Sequence, residues 1–282
     1  MATIREAMAD AVERLGAEPI GPPRMAAETL MMHVLGRDRA FVIAHPEFLL
    51  SDAQIAAFQE AVASRASGVP LQYITGHQEF WGLDFLVSPA VLIPRPETEH
   101  LVEAAITKVR ELKVAKPRIV DVGTGSGCIA LALASELPEA EIHAVDISSE
   151  ALLLAQINAE RLGLAVEFGQ SDLLSSFRDT KFDLIVSNPP YVGRQEWEKV
   201  QREVREHEPE VAVFAGEHGI EIYRRLIPEA RSALKSGGWL MMEIGYSMEA
   251  AVLELMTGCD EVRSIPDLQG IPRVIVGRVP SG

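Results

Sequence analysis

Cysteine is scarce: Cys128 and Cys259 are the only two, far apart and in no metal-like spacing. Neither a disulfide framework nor a metal site is expected, and both thiols read as reduced and buried. No segment approaches the roughly 20 consecutive apolar residues of a membrane span, so no membrane association is expected. The N-terminal stretch MATIREAMADAVERLG carries acids and helical periodicity where a secretory signal has a basic region and an apolar core. A cytoplasmic location is the expectation. Basic residues are outnumbered 26 to 41, giving a formal charge of -15 and a pI near 4.9. Such a balance disfavours gripping a phosphate backbone through broad electrostatics, and no stable nucleic-acid binding is expected, although a local basic patch stays open.

What is present reads as an ordinary globular chain, 48% hydrophobic and 24% charged. Thr3 and Glu6 have capping-box spacing ahead of the stripe Ile4, Met8, Val12, Leu15, and Ser51 with Gln54 opens another helix. Between them, prolines precede the apolar-periodic run around the Met31-Met32 pair, which reads as core. Residues 1–72 are therefore expected to form a helical bundle. Residues 73–96 are rich in aromatic and β-branched residues broken by glycine and proline, as a β-hairpin connector would be. Thr98 is expected to cap a helix through EHLVEAAITKVRELKV. Within 97–282, strand-like segments then alternate with helical ones: RIVDVG, EIHAVD, AVEFGQSD, FDLIVSN, GWLMMEIG, CDEVRSIPD and RVIVGRV. The expected fold class is α/β, a doubly wound seven-stranded sheet.

The first of these strands runs into VDVGTGSG, a glycine-rich turn with a helix expected from near Ser126. Gly123, Gly125 and Gly127 let the backbone turn tightly and approach a ligand. Asp146 ends the second strand about 20 residues later, where an acid can accept bonds from both ribose hydroxyls. Dinucleotides and S-adenosylmethionine share this layout. Here one residue separates the second and third glycines, whereas the dinucleotide fingerprint has two. VDVGTGSG thus resembles motif I of class I methyltransferases, a resemblance that implies a Rossmann-like sheet and places Asp121 near the methionine end of the donor. In the same family Asp172 would touch the adenine amino group with Leu173 beside the ring; Asp172 read alone is equally a helix N-cap.

FDLIVSNPPYV, residues 182–192, is an apolar strand stopped by Pro189 and Pro190, which cannot donate to a ladder and leave carbonyls without a strand partner. Asn-Pro alone is a common turn starter. At the carboxyl edge of the sheet it can do more. A planar NH2 group carries two protons and no good acceptor at nitrogen, so two acceptors hold it best: the Asn188 side-chain oxygen and the Pro189 carbonyl. Tyr191 could lie against the planar face. The stretch matches the NPPY motif of methyltransferases acting on planar nitrogens, whose substrates include adenine, guanine and glutamine.

The helical N-terminus, GHQEFWGLDFLVSPAVLIPRPETE, SNPPY, EHEPEVAVFAGEHGIEIYRRLI and DLQGIPRVIVGR together resemble the release factor glutamine methyltransferase family, PrmC or HemK, over essentially the full length. The resemblance implies methyl transfer from S-adenosylmethionine, yielding S-adenosylhomocysteine, to the glutamine amide in the Gly-Gly-Gln loop of class 1 peptide chain release factors. It implies donor binding by Gly123, Thr124, Gly125, Asp146, Asp172, Leu173 and Asn188, and glutamine binding by Asn188, Pro189, Pro190 and Tyr191. The N-terminal bundle and hairpin would help recognise the release factor. Some members carry an aromatic residue where Leu173 stands. A nucleic-acid base methyltransferase, acting on adenine N6 or guanine N2, is the alternative. Arg95, Glu97 and Glu99 could line the entrance or pair with each other, and Phe80 and Trp81 could cover the donor or pack the connector. RQEWEKVQREVREHEPE reads as one solvated helix. No side chain stands out as a general base.

Overall fold

In the computed structural model, which describes residues 2–18, 21–177 and 179–281, the N-terminal periodicity becomes five helices. These are α1 (Ile4–Gly16), α2 (Pro23–Leu35), α3 (Arg39–Ala44), α4 (Asp52–Ala66) and α5 (Leu71–Thr75). Helices α1 and α4 open on reciprocal caps: Thr3 Oγ1 accepts from Glu6 N at 3.3 Å while Glu6 Oε2 accepts from Thr3 N at 2.8 Å, and Ser51 with Gln54 repeats the exchange. Each box satisfies two donors that a helix start leaves orphaned. The inward stripes, including Ile4, Leu15, Leu30, Met31, Phe58 and Val62, merge into one core.

A hairpin follows, β1 (His77–Phe80) with β2 (Leu83–Leu86), then a 3₁₀ turn at Pro96–Thr98 and α6 (Glu99–Leu112). Beyond it come β3 (Arg118–Val122), α7 (Cys128–Glu136), β4 (Glu141–Asp146), α8 (Ser149–Leu162), β5 (Glu167–Gln170) and β6 (Phe182–Ser187). The chain continues through β7 (Val192–Gly193), α9 (Arg194–Trp197), α10 (Arg202–His207), α11 (Glu210–Val213) and β8 (Phe214–Gly216). It closes with α12 (Glu221–Ala233), β9 (Leu234–Glu243), α13 (Glu249–Leu255), β10 (Asp260–Pro266) and β11 (Pro272–Arg278).

Seven strands form one sheet in the order β10-β11-β9-β6-β3-β4-β5. Strands β9, β6, β3, β4 and β5 run parallel, and β11 lies antiparallel between β9 and β10. Every residue of β6 is buried, as its unbroken apolar run requires of a strand covered on both faces. One layer, built on Leu101, Ala105 and Ile129, packs on one face, and another, built on Tyr223, Leu226 and Val252, on the other. Parallel strands all end at the same edge, and that edge carries the site.

The molecule comprises two compact units, Met1–His77 with Gln201–His207, and Gln78–Val200 with Glu208–Gly282. Residues 201–207, expected within the 97–282 segment, pack instead in the helical unit. There Arg65, only 4% exposed, needs an anion, and Glu203 supplies one with Arg65 Nη2 to Glu203 Oε1 at 2.7 Å. The single helix expected over 194–210 is consequently two short ones, and Trp197 meets Phe214 edge-on at 5.6 Å rather than facing solvent. Thr98 also departs from expectation: it makes no side-chain cap bond, because its hydroxyl is engaged in the site. No helix among the described residues is long and apolar enough to cross a membrane.

Candidate active site

The glycine turn is folded back over the second parallel strand, with Gly123 N and Thr124 N both donating to Val145 O at 2.8 and 3.0 Å. Gly123 and Gly125 have φ of +76° and +56°, and a Cβ on either would meet nothing within 4 Å, because both face open space. Gly127 serves differently. It caps α7 in a left-handed conformation, and a Cβ there would sit 3.1 Å from Leu131 Cδ1 and 3.2 Å from Ala155 Cβ. Ser126 and Gly127 thus belong to the turn, and α7 starts at Cys128 rather than near Ser126.

Asp146 braces this turn: its Oδ2 accepts from Gly125 N at 2.8 Å and its Oδ1 from Ser148 N at 2.9 Å. Burial raises its pKa, and those backbone bonds pull in the opposite direction. Each oxygen keeps a lone pair for a further donor. Asp121 is fully buried beneath the turn, where its Oδ2 accepts from Thr124 Oγ1 at 2.7 Å. Its Oδ1 and the nearby Ser126 Oγ have no hydrogen-bond partner among the described residues, and burial pushes the Asp121 carboxyl up to about 7.

A cavity of about 310 Å³ opens over this turn, lined by Gly123, Gly125, Asp146, Asp172, Leu173, Asn188 and Pro190, with Leu92, Ile222 and Arg225 among the rest of its wall. A recess of about 40 Å³ shares Gly123, Gly125 and Asn188 and adds Arg95, Thr98, Thr124, Ser126 and Cys128. Most of the expected donor residues therefore meet in one place. Asp121, Gly127, Pro189 and Tyr191 do not line either space. Asp172 caps no helix; its Oδ2 accepts from Arg225 Nη2 at 2.7 Å, both side chains half exposed. Leu173 holds φ of +50°, a backbone state that side-chain-bearing residues seldom adopt and that concentrates at binding sites.

Strand β6 delivers Asn188 to the junction of cavity and recess. Ser187 Oγ donates to Val122 O at 2.7 Å, tying the end of β6 to the start of the glycine turn. Asn188 Nδ2 donates to Thr98 Oγ1 at 3.1 Å, and both side chains lie close enough to Glu243 to favour its charged form. The Asn188 Oδ1 and the Pro189 carbonyl accept no hydrogen bond among the described residues. Tyr191 turns the other way, packing where a Cβ on Gly245 would lie 2.8 Å from its Cδ2. Burial, then the Glu243 charge, pushes its phenol up to about 12.

Arg95 pairs with the buried Glu208, whose other oxygen accepts from Ile93 N at 3.2 Å, so it joins neither Glu97 nor Glu99. Glu99 accepts instead from Trp81 N at 2.9 Å, and Phe80 is packed edge-on against Phe85 in the core, away from the cavity. Two structurally central residues gave no sequence signal. Asn158, fully buried on α8, accepts from Leu86 N at 2.8 Å and donates to Leu86 O and Ser126 O at 3.0 Å, pinning the hairpin to the glycine turn. Glu243, buried at the end of β9, has its backbone held by Tyr223 Oη at 2.7 Å.

A seven-stranded sheet with this inserted antiparallel strand, and a cavity framed by a glycine turn, an acid ending the second strand and an Asn-Pro-Pro-Tyr edge, defines a class I S-adenosylmethionine-dependent methyltransferase. The Methyltransferase small domain family matches residues 100–210 and the PrmC N-terminal domain family residues 6–76. The chain belongs to the release factor glutamine methyltransferase family. It is 53% identical to the release factor glutamine methyltransferase of Koribacter versatilis over 99% of each chain. It is 41% identical to that of Geobacter sulfurreducens, over 98% of this chain and 97% of the relative, and 42% identical to that of Escherichia coli, over 91% and 92%. In fold it is similar to a methyltransferase from Pyrococcus furiosus, with a TM-score of 0.52 at 18% identity over 71% of this chain and 90% of the other. The hMettl16 catalytic domain, solved with an RNA hairpin, gives 0.55 at 21% identity over 78% and 82%.

Proposed function

We propose that the protein methylates the side-chain amide nitrogen of the glutamine in the Gly-Gly-Gln loop of class 1 peptide chain release factors. The observation that carries this reading is the orientation of Asn188. Its amide protons are turned into the protein, toward Thr98 and Glu243, which leaves Oδ1 at the cavity as an acceptor. The Pro189 carbonyl, next along a segment that two prolines stiffen, supplies the second acceptor. Two acceptors match the two protons of a carboxamide and hold its nitrogen lone pair outward, so positioning provides much of the rate, up to about 7–11 kcal/mol. Pro190 lines the wall beside the substrate, and Tyr191 anchors the Asn-Pro-Pro-Tyr edge from behind by packing against Gly245.

The donor residues fit their group. The space that absent Cβ atoms leave at Gly123 and Gly125 admits a backbone-hugging ligand, Asp146 offers acceptors to a ribose, and Asp172 with Leu173 closes the adenine end. Asp121, Thr124 and Gly127 act from beneath by fixing the turn. S-adenosylmethionine, when bound, supplies a methyl group on a sulfonium and departs as S-adenosylhomocysteine. Water takes the proton that the methylated nitrogen sheds.

The helical segment 1–72 and the hairpin segment 73–96 are read as the parts that recognise the release factor, and 97–282 as the part that transfers methyl. Phe48 and Leu49 are exposed beside Phe41 in the helical unit, a surface suited to a protein partner. A cytoplasmic reaction, without stable nucleic-acid or membrane association, follows from such a substrate. The test supplies labelled donor with either release factor or nucleic acid. Mass spectrometry should place one methyl group on the Gly-Gly-Gln glutamine, and Asn188→Ala should abolish it while donor binding survives. Label found in nucleic acid alone would overturn the reading.

A further inference from the structure

Asn188 can offer an acceptor only while its own amide stays one way round, and the structure assigns that task to Glu243. It is a positioning residue acting through Thr98 and Asn188, and the assignment rests on the reading of Asn188 given above. Strands β6 and β9 run side by side with Ser187 opposite Met242, so Asn188 and Glu243 follow as neighbours at the carboxyl edge. Glu243 is 4% exposed, and its Oε2 has no hydrogen-bond partner among the described residues. A buried carboxyl so poorly satisfied is costly and is not explained by packing alone.

Counting protons shows what it does. The Thr98 hydroxyl accepts from Asn188 Nδ2 at 3.1 Å, so its one proton is left for the neighbouring Glu243 carboxylate, whose charged form Thr98 and Asn188 both favour. An ionised carboxylate has no proton to give, so donation runs one way only, from Asn188 and Thr98 toward Glu243. The Nδ2 end is thereby held inward and Oδ1 outward. A donor at position 243 removes that constraint. The hydroxyl can then turn, the amide can flip, and an NH2 would confront the NH2 of the substrate.

Protonation of Glu243 itself would do the same. The groups facing it are Glu97, Arg273, Tyr191, Tyr223 and Cys128. Burial dominates and pushes its carboxyl up to about 7; Glu97 adds to this and Arg273 opposes it. The one-way donation should therefore fail as pH falls through neutrality.

The test uses the full chain with S-adenosylmethionine and a release factor bearing Gly-Gly-Gln. E243Q, isosteric but a donor, should lower kcat on the order of a hundredfold, the scale of a misplaced contact, with the donor Kd unchanged. Wild-type kcat should fall below neutral pH, and that limb should vanish in E243Q. Thr98→Val should reproduce E243Q, while Thr98→Ser, which keeps the hydroxyl, should lose far less. The Asn188 side-chain 15N–H2 resonances should titrate with the same midpoint in wild type and stay flat in E243Q. Should E243Q not fold, the two Thr98 variants and the wild-type resonances decide. The inference is overturned if E243Q matches wild type in kcat and pH profile, or if both Thr98 variants lose equally. Loss in Asn188→Ala with E243Q fully active sinks this inference alone, whereas a wild type that leaves glutamine unmodified sinks the reading beneath it.

Discussion

Asp146→Asn separates donor binding from folding. In the folded chain the two carboxylate oxygens each accept a backbone N–H, from Gly125 at 2.8 Å and Ser148 at 2.9 Å. Asparagine has one oxygen, so its NH2 must confront one of those donors, a loss of about 1–3 kcal/mol. Removing the charge works the other way for folding, because burial already disfavours the ionised form. The two effects oppose each other, and the melting temperature should move little. For the donor they do not oppose. Losing one charge-assisted bond to a ribose hydroxyl is worth about 1.5–3 kcal/mol, hence roughly 10–150-fold in Kd. Calorimetric titration with S-adenosylmethionine measures this, alongside thermal unfolding without ligand. A folded Asp146→Asn that binds within about threefold of wild type, under ~0.7 kcal/mol, would refute the assignment of Asp146 to the ribose.

Three further outcomes are expected. Glu243 has a folded pKa raised to about 7 against an ordinary 4.5, so its stabilising contribution is full below the unfolded value and is lost as pH rises through the folded one. E243Q cannot lose it, and the stability difference between variant and wild type in urea unfolding should grow from about pH 5 to about pH 8 toward ~3 kcal/mol; a flat difference argues against burial of the charge. Gly245→Ala would drive a methyl to 2.8 Å from Tyr191 Cδ2 and should lower kcat with donor affinity intact, as steady-state kinetics and calorimetry can show. Asp172 and Arg225 are each 49% exposed, so Arg225→Ala should change donor Kd by less than a factor of about five, ~1 kcal/mol, whereas Asp172→Ala should weaken it more.

Much of the sheet was legible because parallel strands between helices are continuous apolar runs, and FDLIVS and WLMM can bury both faces in no other way. The glycine turn and Asn-Pro-Pro-Tyr were legible because backbone geometry forces those residue types. Pairings across the chain were not. Glu243 ends an apolar strand like any boundary acid, and Thr98 precedes a helix like any cap. Only the adjacency of β6 to β9 shows that the two meet Asn188. Asn158 lies in an amphipathic helix where nothing local marks it as the pin between hairpin and turn. Strands β7 and β8, of two and three residues, are too short to carry a period. Pro228 inside α12 breaks a rule that tertiary packing of Tyr223, Leu226 and Ile227 outweighs.

The insertion of β11 between β9 and β10 carries a cost during synthesis. Until residues 272–278 emerge from the ribosome, β10 has no strand to pair with and β9 shows a bare edge bearing Trp239, Leu240, Met241 and Met242. At about 5–20 residues per second the nascent domain spends a few seconds in that state, with its stickiest margin uncovered. Truncation before Pro272 would make the interval permanent, and such a fragment should be found aggregated or held by chaperones.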